Sequence, residues 1–557
     1  MKKNITAIVL CFVMILGLVG CAGVNKNKSA SNVSGKVTLR LAGGDTGLPT
    51  PFKHTSGGPG ASKMWLLYDS LFEKDEKGDI PWLAKSWDVS KDGMVYTFYM
   101  QKNALWHDGK PLTAEDVAFT LAYYKEHPPV GNDLVDDGQY IIADSKVIDT
   151  YTIQITTNCY KNTYLSKLGS VNIIPKHIWE NVKDPATYEA KDATVGSGPY
   201  KMDSYNAEQG TYRYVAFDKY WGLKPAVAAI EWVPVSDSIL AFENDEIDLC
   251  MPTGDVVSRY ENKDEYTVVK VSAYRNSYRM VLNMKAVPEL QNVALRKALA
   301  YAIDRQELVD KVGRGTGVIS SMGYVPSASP WYNSNIEQYD FNLEKAKELL
   351  GGKTYSFKLL TDNSGSGTKI AELMKISLAK VGIELTVESV ETKTRDSAIQ
   401  NGQYQLAITQ AGGMGGDPDY LRSIYANTNA AGNSKTSVSN SNNSGTKGQG
   451  QGKGQGKGQG KGQGSGNSNN SIMIRGWSNQ RVNELANAQV TELDQTKRKE
   501  MIFELQKLIS DQVPMIMLYS TTTNFVYRPA KYNGWMMNRY DNNARCDFYK
   551  LSYVIRK

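Results

Sequence analysis

The chain has 557 residues, of which 41% are hydrophobic and 22% charged, with a formal net charge of +6. That length supports more than one buried core. Two lysines of an N-terminal leader and five of a low-complexity insert account for more than the whole excess and leave the remainder at −1, which excludes a general nucleic-acid-binding surface.

Lys2 and Lys3 precede the apolar run Ile5–Gly20, which is too short and too interrupted by Gly for a secure membrane span. Residues 1–20 therefore read as a signal peptide. The small residues before Cys21 form a lipobox-like site, and Cys21 is the expected lipidation position. Residues 21–36, rich in Asn, Ser and Lys, read as a flexible tether. Val37–Leu41 opens the fold as a strand, and a loop rich in Gly and Pro follows from Ala42 to Gly60.

The stretch Pro81–Val117 reads as strand, turn, strand and capped helix. Asp92-Gly93 is a hairpin signal, and Val95–Met100 has apolar side chains on both faces. His107-Asp108-Gly109 makes a second turn. Thr113, with Asp116 three residues on, is an N-cap ahead of Val117, Phe119 and Leu121. Later helices are expected at Asn342–Leu350, stopped by Gly351-Gly352, at Ile370–Ala379 and at Thr496–Asp511. Strands are expected at Ile383–Val387 and Tyr404–Thr409. This alternation favours α/β lobes.

Thr428–Ser471 stands apart. From Gly448 to Gly466 every second residue is Gly, separated by Gln, Lys or Ser. Neither face of that repeat has side chains to bury, and Gly carries a large ordering cost, so a disordered cationic coil is expected within residues 428–471. A tolerated surface-loop insertion explains it better than a tail contacting anionic polymer or lipid, because loop closure costs rise slowly with length.

Five cysteines occur: Cys11, Cys21, Cys159, Cys250 and Cys546. Cys11 leaves with the leader and Cys21 takes lipid. The other three cannot all pair, so at most one disulfide is expected, and no Cys/His metal spacing exists among them. The four histidines are far apart, and neither GxSxG nor HExxH occurs. No convergent nucleophile–base pair supports a secreted hydrolase. The chain is expected to be no enzyme, with neither cofactor nor metal site.

Several segments carry a family resemblance. Pro81–Val117 resembles the "P-x-L-A-x-S-W…S-x-D-G…Y-T-F…W-x-D-G-x-P-L-T-A-x-D-V" run of the oligopeptide, dipeptide and nickel-binding family of ABC-importer solute-binding proteins. Leu67–Phe72, Gly196–Tyr200, Tyr220-Trp221-Gly222, Asn292–Asp304, Gly476–Asn479 and Pro514–Tyr519 resemble further markers of that family. The resemblance spans about Val37 to Tyr519. It implies a two-lobed α/β fold of the periplasmic-binding-protein type, large cluster and type II-like, with an additional inserted region. The implied boundaries are 37–66, 197–271 and 514–557 for lobe I, 67–196 for the inserted region, and 272–513 for lobe II. It also implies a monomer, held at the extracytoplasmic face of the membrane by lipid on Cys21. Its partners would be an ABC permease with ATPase subunits, and its ligand first of all a peptide. A nickel chelate or an oligosaccharide is the alternative.

The candidate ligand contacts are His54, Tyr278, Arg279, Trp331, Tyr332, Met414, Asp417, Asp419 and Tyr420. His54 lies in the loop after the first strand. Tyr278, Arg279, Trp331 and Tyr332 occupy positions where the family has cleft walls and interlobe strands. Gln410–Tyr420 follows an expected strand, at the end where α/β sheets place ligands. In peptide-binding members an Asp three residues before the Asp-Pro pair meets the peptide ammonium; here that position is Met414. A thioether cannot neutralise a buried ammonium, so Asp417 or Asp419 would have to do so, or the ligand would lack one. Asp417 also suits a turn acceptor.

Overall fold

The computed structural model describes residues 38–54, 58–74, 79–225, 227–271, 277–411, 416–426, 474–533, 536–538, 545–547 and 555–556. The leader, Cys21, the tether, Met414 and the insert at 428–471 lie outside the described residues.

Among the described residues two large hydrophobic cores organise the fold, with two smaller clusters beside them. The first joins two four-stranded sheets. In one, Thr38–Gly43 runs parallel to Ala229–Pro234, and Thr211–Ala216 and Tyr200–Asn206 continue it antiparallel. The other is an antiparallel sheet of Ala84–Val89, Val95–Met100, Thr152–Thr157 and Ile142–Asp149. Within Val95–Met100, Tyr96, Phe98 and Met100 are buried while the alternate side chains are half-buried, the period-two pattern of a strand with one face on a core. The helix Ala114–Glu126 follows, and the Thr113 N–H donates to the Asp116 carboxylate at 2.9 Å.

The second core surrounds a six-stranded mixed sheet in the order Gly317–Ile319, Met515–Thr521, Ser277–Leu282, Leu406–Ala411, Tyr355–Asp362 and Ile383–Val390. The expected helix at Asn342 forms over Leu343–Leu350, with Asn342 as its cap and Gly351 in the left-handed region. The next helix starts five residues before expectation, at Gly365, because the Ser364 side chain accepts from Gly367 N–H and caps it there. The expected strand Tyr404–Thr409 forms two residues later, at Leu406–Ala411, since the preceding helix ends with Gly402 at φ 72° and Gln403 still bonds back to Ala398.

Met515–Thr521 needs a correction. The implied boundary at 514 would put it in the first lobe, but it pairs with Ser277–Val281 inside the six-stranded sheet. The chain changes sheet between Thr521 and Thr523, where Thr523–Tyr527 joins Thr267–Val271 in a separate three-stranded sheet. Cys159 and Cys250 are both free thiols, and burial pushes the Cys250 thiol up to about 12.

The markers of the first core touch one another. His107 Nδ1 accepts from Gly196 N–H at 3.1 Å, and its Nε2–H donates to the Gly198 carbonyl at 3.0 Å. Burial lowers the His107 pKa to about 4, which keeps the ring neutral and this donor–acceptor polarity fixed. A Cβ at Gly196 would lie 1.9 Å from the Leu67 carbonyl oxygen, so only Gly allows the turn to sit there. Ser197 Oγ in the same turn accepts from Asp69 N–H at 3.2 Å. The buried Asp69 carboxylate then accepts from Trp82 Nε1–H at 2.9 Å, Tyr220 O–H at 3.1 Å and Trp221 Nε1–H at 3.1 Å.

Candidate functional site

In the second lobe, Ser277–Leu282 runs antiparallel to both of its neighbours, so its start lies beside their ends: Ser277 faces Ala411 on one side and Ser520 on the other. Tyr355–Asp362 is parallel to Leu406–Ala411 and ends at the same edge. This edge collects strand carboxyl ends, the usual ligand side of an α/β sheet. Tyr278 stacks on Tyr519 there, with centroids 5.0 Å apart. Burial raises the Tyr278 phenol, opposed by hydrogen bonds to Ser366 and Gln410. The buried Arg395–Asp362 ion pair closes the corner.

Successive strand residues point to opposite faces, so Arg279 points to the face of the sheet opposite Tyr278. Its guanidinium is buried, donates to the Tyr324 hydroxyl and lies 5.8 Å from that ring's centroid. The Tyr420 O–H donates to the Tyr324 carbonyl at 3.3 Å, and the Tyr420 and Tyr324 rings meet edge-on at 6.0 Å. Arg279 and Tyr420 thus share one packed aromatic cluster.

Asp417 and Trp331 meet around Arg498, and Asp419 lies beside them on Arg422 and Gln489. Arg498 grips Asp417 with two hydrogen bonds of 2.7 and 2.6 Å and holds its guanidinium 4.9 Å from the Trp331 ring centroid. Asp419 receives Arg422 Nε–H at 2.8 Å, Arg422 Nη2–H at 3.0 Å and Gln489 Nε2–H at 3.2 Å. Both carboxylates are therefore committed to arginines, the strong bidentate kind of contact. Tyr332 lies apart, its hydroxyl accepting from Gln338 at 3.4 Å. His54 sits in the first lobe, buried, with Nδ1–H donating to the Thr50 carbonyl at 2.8 Å; burial lowers its pKa.

The first lobe presents a matching strand end. Beyond Gly43, the Asp45 carboxylate accepts from Tyr205 O–H at 2.7 Å and Tyr212 O–H at 3.0 Å. Lys63 inserts beside them. Its fully buried ammonium donates to Thr46 Oγ1 at 3.0 Å and the Gly44 carbonyl at 3.3 Å, and stands 4.4 Å above the Tyr212 ring. Burial lowers the Lys63 pKa to about 8, opposed by Asp45. The unfolded chain then holds one more proton than the folded chain between about pH 8 and 10.5, so this group makes stability rise with pH in that window. Against Lys63→Met, which lacks the titration, wild type should gain about 1–2 kcal/mol between pH 7.5 and 9.5. Urea unfolding at the two pH values measures this, and a pH-independent gap would mean the ammonium is not buried.

Lys63, Arg422 and Arg498 were not among the expected site residues. Arg498 had a visible signal: it lies on the apolar stripe with Ile502, Leu505 and Ile509 of the helix Gln495–Gln512, where a charge needs a partner. Among the described residues no cluster of three His, Cys, Asp or Glu could hold a metal ion, and no helix is long and apolar enough to cross a membrane.

The family described as bacterial extracellular solute-binding proteins, family 5 Middle, matches residues 80–433. The dipeptide-binding protein of Escherichia coli is 26% identical over 424 residues, covering 70% of this chain and 78% of that protein. The nickel-binding periplasmic protein of the same organism is 24% identical over 382 residues, covering 63% and 71%. The crystal structure of the ABC transporter substrate binding protein CtaP from Listeria monocytogenes superposes with a TM-score of 0.73 at 21% identity, covering 94% of this chain and 99% of that one. With its two cores and mixed α/β sheets, the chain belongs to the family 5 bacterial extracellular solute-binding proteins.

Proposed function

We propose that this protein is the solute-capturing lipoprotein of an ABC importer and that its ligand is a peptide. It is held at the extracytoplasmic membrane face by lipid on Cys21 and delivers ligand, as a monomer, to a permease driven by ATPase subunits. No bond is made or broken. Ligand contacts to both lobes supply the differential affinity that shifts an open form to a closed one.

The observation that carries this reading is the pair of tyrosine-lined strand ends, one per lobe: Tyr205 and Tyr212 beside Asp45 and Lys63 in the first, Tyr278 and Tyr519 beside Gln410 and Ser520 in the second. Flat rings with polar tips suit the mixed apolar and amide surface of a peptide. The dipeptide-binding relative supports the same class. Commitment of Asp417 and Asp419 to arginines favours a second reading, a nickel chelate or oligosaccharide, which needs no acid for an ammonium. Mass spectrometry of solute released by denaturing the protein purified from its native envelope should find short peptides. A sugar or a chelated metal in their place overturns the peptide reading.

A further inference from the structure

The two lobes are also tied together away from the strand connections at Val271–Ser277 and Thr521–Thr523. Asn162, in the inserted region of the first lobe, docks on the turn Gln489–Thr491 of the second. Its backbone N–H donates to the Val490 carbonyl at 2.8 Å. Its side-chain amide is shared among the carbonyls of Gln489, Val490 and Glu492 at 3.1, 3.0 and 2.9 Å. Its Oδ1 accepts from Gln495 Nε2–H at 2.9 Å and Tyr160 O–H at 2.8 Å, which uses the whole hydrogen-bonding capacity of the side chain. Beside it, Arg422 of the second lobe reaches Asp137 of the first at 3.3 Å, and Lys161 Nζ bonds Asp136 and Asp137.

The receiving side of this dock is the framework of the Asp417–Asp419 turn. Gln489 accepts from Arg498 Nε–H through both its backbone carbonyl and its Oε1, each at 3.1 Å, and its Nε2–H donates to Asp419. Arg498 holds Asp417, and Arg422 holds Asp419 while reaching across to Asp137. A continuous chain of hydrogen bonds therefore runs from Asn162 and Asp137 in one lobe to the turn after the Leu406–Ala411 strand in the other.

We infer that Asn162, Asp137 and Arg422 form an interlobe latch that fixes the Asp417–Asp419 turn only when the lobes are together. These are positioning residues: they order the ligand side of the second lobe from across the interface, and separation of the lobes releases the turn. The inference rests on the capture reading for its purpose, but the latch itself needs no ligand.

Hydrogen exchange of the whole chain, read by mass spectrometry without added ligand, tests it. Two amides report: Asn162 N–H, which crosses the interface, and Asp419 N–H, which donates to Asp417 Oδ1 at 3.0 Å. Asn162→Ala should speed exchange at Asp419 by about tenfold, and Arg422→Gln should speed exchange at Asn162 by a similar factor. The strand Val95–Met100 should keep its wild-type exchange in both. If that strand also speeds up, the variant is generally destabilised and Asp137→Asn decides, since the Asp137 side chain is 62% exposed and its loss spares both cores. Asp137→Asn should then raise exchange at Asn162 by about threefold and leave the Val95–Met100 strand unchanged. Unchanged exchange at both reporters in the Asn162 and Arg422 variants, or at Asn162 in the deciding Asp137 variant, overturns the latch. Because no peptide enters the experiment, its outcome is independent of the peptide reading.

Discussion

Replacing Asp69 by Ala should cost about 4 kcal/mol of stability, measured as a lower urea midpoint with little change in slope. Asp69 is fully buried, and its carboxylate receives two indole N–H groups and one phenol O–H. Hydrogen bonds to a charged acceptor are worth more than neutral ones, and truncation leaves Trp82, Tyr220 and Trp221 without it. Asn is the informative companion. It keeps one carbonyl oxygen for the Trp82 and Tyr220 donors but turns an NH2 toward the Trp221 N–H, so its loss should be about half that of Ala. An Ala variant within about 1 kcal/mol of wild type would mean that the three donors find other acceptors.

Asp69 also shows why the family markers were legible as a pattern before their physics was. Leu67–Phe72, Pro81–Val117, Gly196–Tyr200 and Tyr220–Gly222 are scattered over more than a hundred residues, yet they converge on one carboxylate and one imidazole. Local signals do not report such convergence. They do report what is set locally: Thr113 caps the helix it was expected to cap, and the helix expected from Asn342 forms and ends at Gly351. The start of the helix at Gly365 was missed because a run of Gly and Ser looks like loop until Ser364 is seen to cap it. The boundary near 514 was misplaced because an uninterrupted apolar strand, Met515–Thr521, carries no mark of which sheet it joins.

The candidate contact residues divide in a similar way. Tyr278 was expected at a cleft wall and lies at a strand-end edge, whereas its neighbour Arg279 points the other way into packed tyrosines. Asp417 was expected to suit a turn, and it does accept the Asp419 N–H. That Arg498 and Arg422 would consume both acids could not be read from spacing, because those pairs depend on how a helix, a turn and a strand end are brought together. Lys63 was hidden for the opposite reason. A lysine in a Gly-rich, polar stretch reads as solvated, and only the Tyr212 and Trp232 rings of the sheet beneath make it buried.

The second large effect follows from those occupied acids. A free peptide brings an ammonium, and an unpaired ammonium inside a closed cleft costs several kcal/mol. Met414, where the family resemblance implies an ammonium-binding acid, carries no charge, and Asp417 and Asp419 are held by arginines at hydrogen-bond distance. Recruiting either acid would break a bidentate pair and leave a partly buried guanidinium uncompensated. A peptide ligand should therefore be one whose N-terminus is masked, or whose N-terminus stays outside the enclosed part of the cleft. Met414→Asp restores a carboxylate and should favour a free amine by tenfold or more, about 1.4 kcal/mol at least. Titration calorimetry of wild type and Met414→Asp, with matched free and N-acetylated peptides, is the most direct measurement. Wild type should give heat of binding with little preference between the two sets, and only the variant should gain for free peptides. A strong wild-type preference for free-amine peptides would contradict the committed state of Asp417 and Asp419, and no heat with either set would contradict peptide capture itself.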